Sequence, residues 1–227
     1  MNTKIKLLSA VAIGMYFFTS CDNGKTAIDN ERTDTTAMTN VKTDTMDHNM
    51  SPDDMDKMDN GMMNSMNSMM DKMSNMKMSG DFDMDYASMM IEHHQGALDM
   101  SNIELSKGAD EKMKAKAQAI ITKQTADIAK LKEFVQAYKP SGMKHGEGEM
   151  EKMHAEMKTG MKAMQMSGNT DKDFAMMMIS HHDGGMKMSQ AQIKNGMSAS
   201  LKDMAKKGIS HETKEIGEFK TWLAGNK

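Results

Sequence analysis

Apolar residues recur at spacings of three and four from about residue 55 to residue 223, the period of one buried helical face. β-branched residues are few and no run alternates with period two, so no strands are expected. The pattern predicts a helix over roughly 55–78, broken at Ser79-Gly80-Asp81. A second helix follows, capped by Asp83 or Asp81 and ending near Lys107-Gly108; a third runs from about Asp110 to Tyr138. Pro140 and Gly142 interrupt the pattern. The same three elements then recur, over about 143–166, up to Asn195-Gly196, and from Ser198 to Leu223.

The recurrence is a duplication. His93 and His181 lie 88 positions apart, and the same offset holds without a gap in both directions. Upstream it carries Met62, Met69, Met73, Ser79 and Gly80 onto Met150, Met157, Met161, Ser167 and Gly168. Downstream it carries Ile121, Ile128 and Phe134 onto Ile209, Ile216 and Trp222. Two helical hairpins so related pair most simply into an all-α, antiparallel four-helix bundle with a pseudo-twofold axis between the copies. The first copy then spans about 55–138 and the second about 143–223 within a bundle over 81–227, and residues 50–80 add a Met-rich helical segment.

The N-terminal pattern differs. Lys4 and Lys6 precede an apolar run from Leu7 to Phe18 that is too short for an ordinary membrane span. Thr19-Ser20-Cys21 closes it, so residues 1–20 resemble a bacterial lipoprotein signal, with Cys21 as the lipidated residue. Residues 21–49 are Thr, Asp, Asn and Ser with almost nothing apolar, the composition of a disordered acidic tether. The expected location is the cell envelope, on a membrane facing the periplasm or the cell surface.

Charge removes one class of partner. Without residues 1–20 the chain has 27 basic and 32 acidic residues, a formal charge of −5, and no basic stripe with interleaved aromatics. Nucleic acid is therefore not an expected partner. Cys21 is the only cysteine, so no internal disulfide can form and no thiolate is left for a metal.

What the chain does have is 34 methionines in 227 residues and two His-His pairs. Met89-Met90-Ile91-Glu92-His93-His94 recurs as Met177-Met178-Ile179-Ser180-His181-His182. Four-residue spacing sets Met89 over His93, Met90 over His94, Met177 over His181 and Met178 over His182. Met186 lies one turn past His182, and Met100 and Met188 extend the stripe. Neighbouring histidines are about 100° apart, so the two of a pair face different neighbours. Thioether with imidazole is a soft-to-borderline ligand set that favours Cu(I), with Ag(I) by the same softness and Cu(II) at the histidines. A di-iron site needs Glu-x-x-His twice, and only Glu151 to His154 fits. Methionine also fills cores; with five leucines after the signal, many methionines must pack as leucine would. His48, His145 and His154 have no counterpart in the other copy, and His211 reads as half of a surface pair.

Met-Ile-x-His-His followed by Gly-Ala or Gly-Gly and Met, from Met90 to Met100 and Met178 to Met188, resembles the ferritin-like domain-of-unknown-function family 305. So does Gln124-Thr-Ala-Asp-Ile128, echoed as Glu212-Thr-Lys-Glu-Ile216 with Glu where Gln is expected. The resemblance covers about Asp81 to Trp222. It implies a ferritin-like helical bundle, export, and binding of copper or silver through Met and His in some members, which include CopM-type periplasmic proteins. The expected function is sequestration or buffering of copper by a lipid-anchored, non-enzymatic protein that supports metal tolerance. The alternatives are a Met-rich module for partner helices and a cuprous or ferrous oxidase. A copper-delivery partner and a homodimer are also compatible with the sequence.

Overall fold

A computed structural model of the chain describes residues 61–140, 148–161 and 164–226. The signal, Cys21, the tether, His48 and His145 lie outside them. Among the described residues there are six helices and no strand, an all-α bundle as expected. In chain order they are α1 (Gly61–Ser74), α2 (Phe82–Lys107), α3 (Glu111–Ala137), α4 (Glu149–Met161), α5 (Thr170–Asn195) and α6 (Ala199–Gly225). No described helix is long and apolar enough to cross a membrane.

The helix ends follow from local chemistry. Asp81, Asp110, Asn169 and Ser198 are the N-caps of α2, α3, α5 and α6, each accepting from backbone N–H groups of the first turn. Helix α1 ends at Ser74, four residues before the periodicity predicts. Asp85 accepts from Ser79 N and Oγ, both at 2.7 Å, and from Gly80 N at 3.0 Å. Gly80 turns at φ 83°, a conformation that glycine adopts without steric cost. The second copy repeats the device. Asp173 binds Ser167 and Gly168, and Gly168 has φ 77°.

Asp83, the other candidate cap for α2, serves a different helix. Its carboxylate accepts from Met197 N at 3.0 Å and Ser198 N at 3.0 Å, at the start of α6. Its counterpart Asp171 accepts from Ala109 N at 3.0 Å and Asp110 N at 2.9 Å, at the start of α3. Each copy thus supplies an acceptor to the last helix of the other.

Helices α2 and α5 pack against each other, and each packs against the helix that follows it. The Met-rich helix α1 lies on α2, and α4 lies on α5. Glycine permits this approach: a Cβ on Gly96 would fall 2.7 Å from Met69 Sδ, and one on Gly184 would fall 2.7 Å from Met157 Cε. Methionine does the packing expected of leucine. Met66, Met69, Met70, Met73, Met89, Met100 and Met113 are among the largest fully buried side chains, and burying each one stabilises by about 1.5–3 kcal/mol.

Candidate metal centre

The two His pairs sit halfway along α2 and α5, where those helices touch. His93 and His181 meet ring to ring, with centroids 3.7 Å apart and planes tilted by 30°. His93 Nε2 lies 3.1 Å from His181 O, and His181 Nε2 lies 2.8 Å from His93 O. A carbonyl only accepts, so both Nε2 atoms carry the proton and donate it. The lone pair of each ring is therefore on Nδ1. Both Nδ1 atoms are buried and without a partner, as are those of His94 and His182.

His94 and His182 face outward, toward α3 and α6. His182 Nε2 lies 3.0 Å from Glu215 Oε2, and His211 Nε2 lies 3.3 Å from Glu215 Oε1. The equivalent residues in the first copy are His94, Asp127 and Lys123, with Lys123 ion-paired to Asp127. His211 is partly exposed and pairs with Glu215, which is buried, so the pair lies only half at the surface the sequence suggested. Glu212 is buried.

Burial dominates the electrostatics. It pushes the pKa of His94 and of His181 down to about 3, and that of His93 well below the usual imidazole range. These three rings stay neutral at ordinary pH, the state a metal requires of imidazole. Burial raises Glu212 to about 7, with the neighbouring His182 pulling it down and Glu215 pushing it up. Burial also pushes Glu215 up, but the contact with His182 outweighs it and the net shift is downward.

The thioethers divide into two groups. Met89, Met90, Met100, Met177, Met178 and Met188 are all buried on the helices that carry the histidines. Met186 is only partly buried, and its sulfur accepts from Thr213 Oγ1 at 3.3 Å. It is thus directed to α6. His154 Nε2–H is shared between Met70 O at 2.9 Å and Ser74 Oγ at 3.0 Å, tying α4 to α1. Among the described residues no three His, Cys, Asp or Glu side chains are grouped to hold a metal.

The sequence did not single out Glu212, Gln124, Asp127 or Glu215 as site residues. Their signal was available only in the trailing motif of each copy, where Gln124 and Asp127, and likewise Glu212 and Glu215, fall three residues apart. A family model described as a domain of unknown function (DUF305) matches residues 23–135 and, again, residues 83–223. The solved structure "CopM in the Cu(I)-bound form" is similar at 23% identity, over 63% of this chain and 96% of that chain, with a TM-score of 0.48. No curated protein matches the chain.

Proposed function

The chain belongs to the DUF305 family, and on that premise we propose that it binds copper outside the cytoplasm and sequesters or buffers it. The carrying observation is the set of four buried imidazoles whose Nδ1 atoms have no partner, on helices lined with buried thioethers. An unpaired buried polar atom costs about 1–3 kcal/mol, so four at one crossing call for a ligand. His93 and His181 also have the arrangement metal-binding histidines use, with the second ring N–H donated to a carbonyl that fixes tautomer and orientation.

Neutral imidazole and thioether, without thiolate, select Cu(I), with Ag(I) as the chemical mimic. The reading is of binding rather than turnover, in support of metal tolerance. Lipidation at Cys21 would hold the domain on a membrane of the cell envelope.

The test is a Cu(I) titration against a competing chelator, under anaerobic reducing conditions, on the purified chain. The comparison is a variant with His93, His94, His181 and His182 all changed to Gln, which keeps a donor for the carbonyls but no imidazole. We expect the variant to keep its helical circular dichroism and lose about a hundredfold or more in affinity. Equal Cu(I) affinity in the two proteins would sink the copper reading.

A further inference from the structure

Beside the His93–His181 crossing, α2, α3, α5 and α6 enclose a cavity of about 20 Å³. That is room for one water molecule or one ion. Its lining includes Met90, His94, Gln124, Met204, Gly208 and Glu212. Three of these end in buried atoms without a hydrogen-bond partner: His94 Nδ1, Gln124 Oε1 and Glu212 Oε2. Glu212 Oε2 and Gln124 Oε1 offer lone pairs, and His94 Nδ1 does so in the tautomer that carries the proton on Nε2. A water molecule has two hydrogens and leaves one of them unsatisfied, whereas a cation can take all three.

The space is specific to this side of the pseudo-twofold axis. A Cβ on Gly208 would meet only Ser189 Oγ, at 4.0 Å. The residue at the same place in the first copy is Ile120, buried at 1% exposure, whose side chain fills what Gly208 leaves open. Gln124 and Glu212 are counterparts across the duplication and both line the cavity, so one copy contributes a neutral amide and the other a carboxylate. The other charged groups at the cavity are already matched. Lys123 is paired with Asp127, and His211 with Glu215. Tyr86 Oη lies 3.3 Å from Ser189 Oγ.

We propose that this cavity seats one divalent cation of the borderline class, held by His94 Nδ1, Glu212 Oε2 and Gln124 Oε1 with a thioether from Met90 or Met204. A nitrogen, two oxygens and one sulfur make a harder set than the imidazole–thioether environment of His93 and His181, and suit Cu(II) better than Cu(I). The protein would then offer adjacent seats of different softness. The inference rests on the copper reading in its use of His94, but its anionic ligand and its cavity are independent of that reading.

The probe is Cu(II), titrated aerobically into the purified chain against a competing chelator and followed by electron paramagnetic resonance. The unmodified chain is expected to bind one tight equivalent with mixed nitrogen and oxygen ligation. Glu212→Gln is isosteric and copies the first copy; it should weaken that equivalent about tenfold or more. Gly208→Ile copies Ile120 and should abolish it by filling the space, with every ligand still present. Both variants should keep helical circular dichroism and a Cu(I) affinity within about twofold of the unmodified chain, the range of an unperturbed neighbouring site. Cu(II) binding unchanged in both variants, or no tight equivalent in the unmodified chain, overturns the seat. Loss of Cu(I) binding in the four-histidine variant is read separately, so the two proposals can fail independently.

Discussion

Glu104 is buried and stands where the second copy has Gln192. Gln192 donates to Asp83 at 2.5 Å, while Glu104 lies against Asp171. Its carboxyl is raised from 4.5 to about 8, by burial first and then by the Asp171 and Asp110 carboxylates. A protonated Glu104 therefore imitates the glutamine. In the unfolded chain the same group ionises near its ordinary value, so between about 4.5 and 8 the folded state holds the extra proton. Stability must then fall as pH rises through that window. Glu104→Gln should remove the slope: urea unfolding should give equal stability at pH 5 and a more stable variant at pH 9. A variant that loses stability equally at both pH values would contradict the proton's role. Residues of this kind were not legible in the sequence. The Met/His pairs stood out because rare types recurred together, but a single glutamate on a helix looks the same whether solvated or buried. Only its alignment with a glutamine across the duplication distinguishes Glu104, as it does Glu212.

At the scale of helices, sequence reading was strongest where an end depends on its own neighbours. The breaks at Ser79-Gly80 and Ser167-Gly168, and the ends at Gly108 and Gly196, follow from local caps. The end of α1 at Ser74 did not, and the turn at residues 79 and 80 is also held by Asp85 of the next helix. The partners of Asp83 and Asp171 also could not be read, since each acts on a helix start 61 or more residues away across the duplication. Asp83→Ala should remove acceptors from Met197 N, Ser198 N and Gln192 Nε2 together. The expected loss is about 1–3 kcal/mol by chemical denaturation, with amide hydrogen exchange speeding up at the start of α6. Gly96→Ala drives a methyl into Met69. It should loosen α1 from α2, seen as faster proteolysis within residues 61–74 while α5 and α6 stay protected.

For the molecule as a whole, the duplication predicted two like halves, and the contact between them turns on residues the sequence had already marked. The ring contact of His93 with His181 and the reciprocal Nε2–H donations make one unit from two copies. Replacing one histidine leaves the other without its stacking partner, so the two losses should not add. A double-mutant cycle with His93→Gln and His181→Gln should show a coupling of about 0.5–3 kcal/mol. Additive effects would mean that the rings merely lie side by side. The reciprocal service of Asp83 and Asp171 has a different consequence. Each half's final helix has its own cap but takes further acceptors from the other half, so a polypeptide severed between Tyr138 and Glu149 yields two fragments with complementary needs. Mixed, they should reassemble into one helical particle, and the first fragment alone should regain order only by associating with itself. On that outcome the chain is in effect a tethered dimer, whose linker could be cut, lengthened or rewired without altering what each half asks of the other.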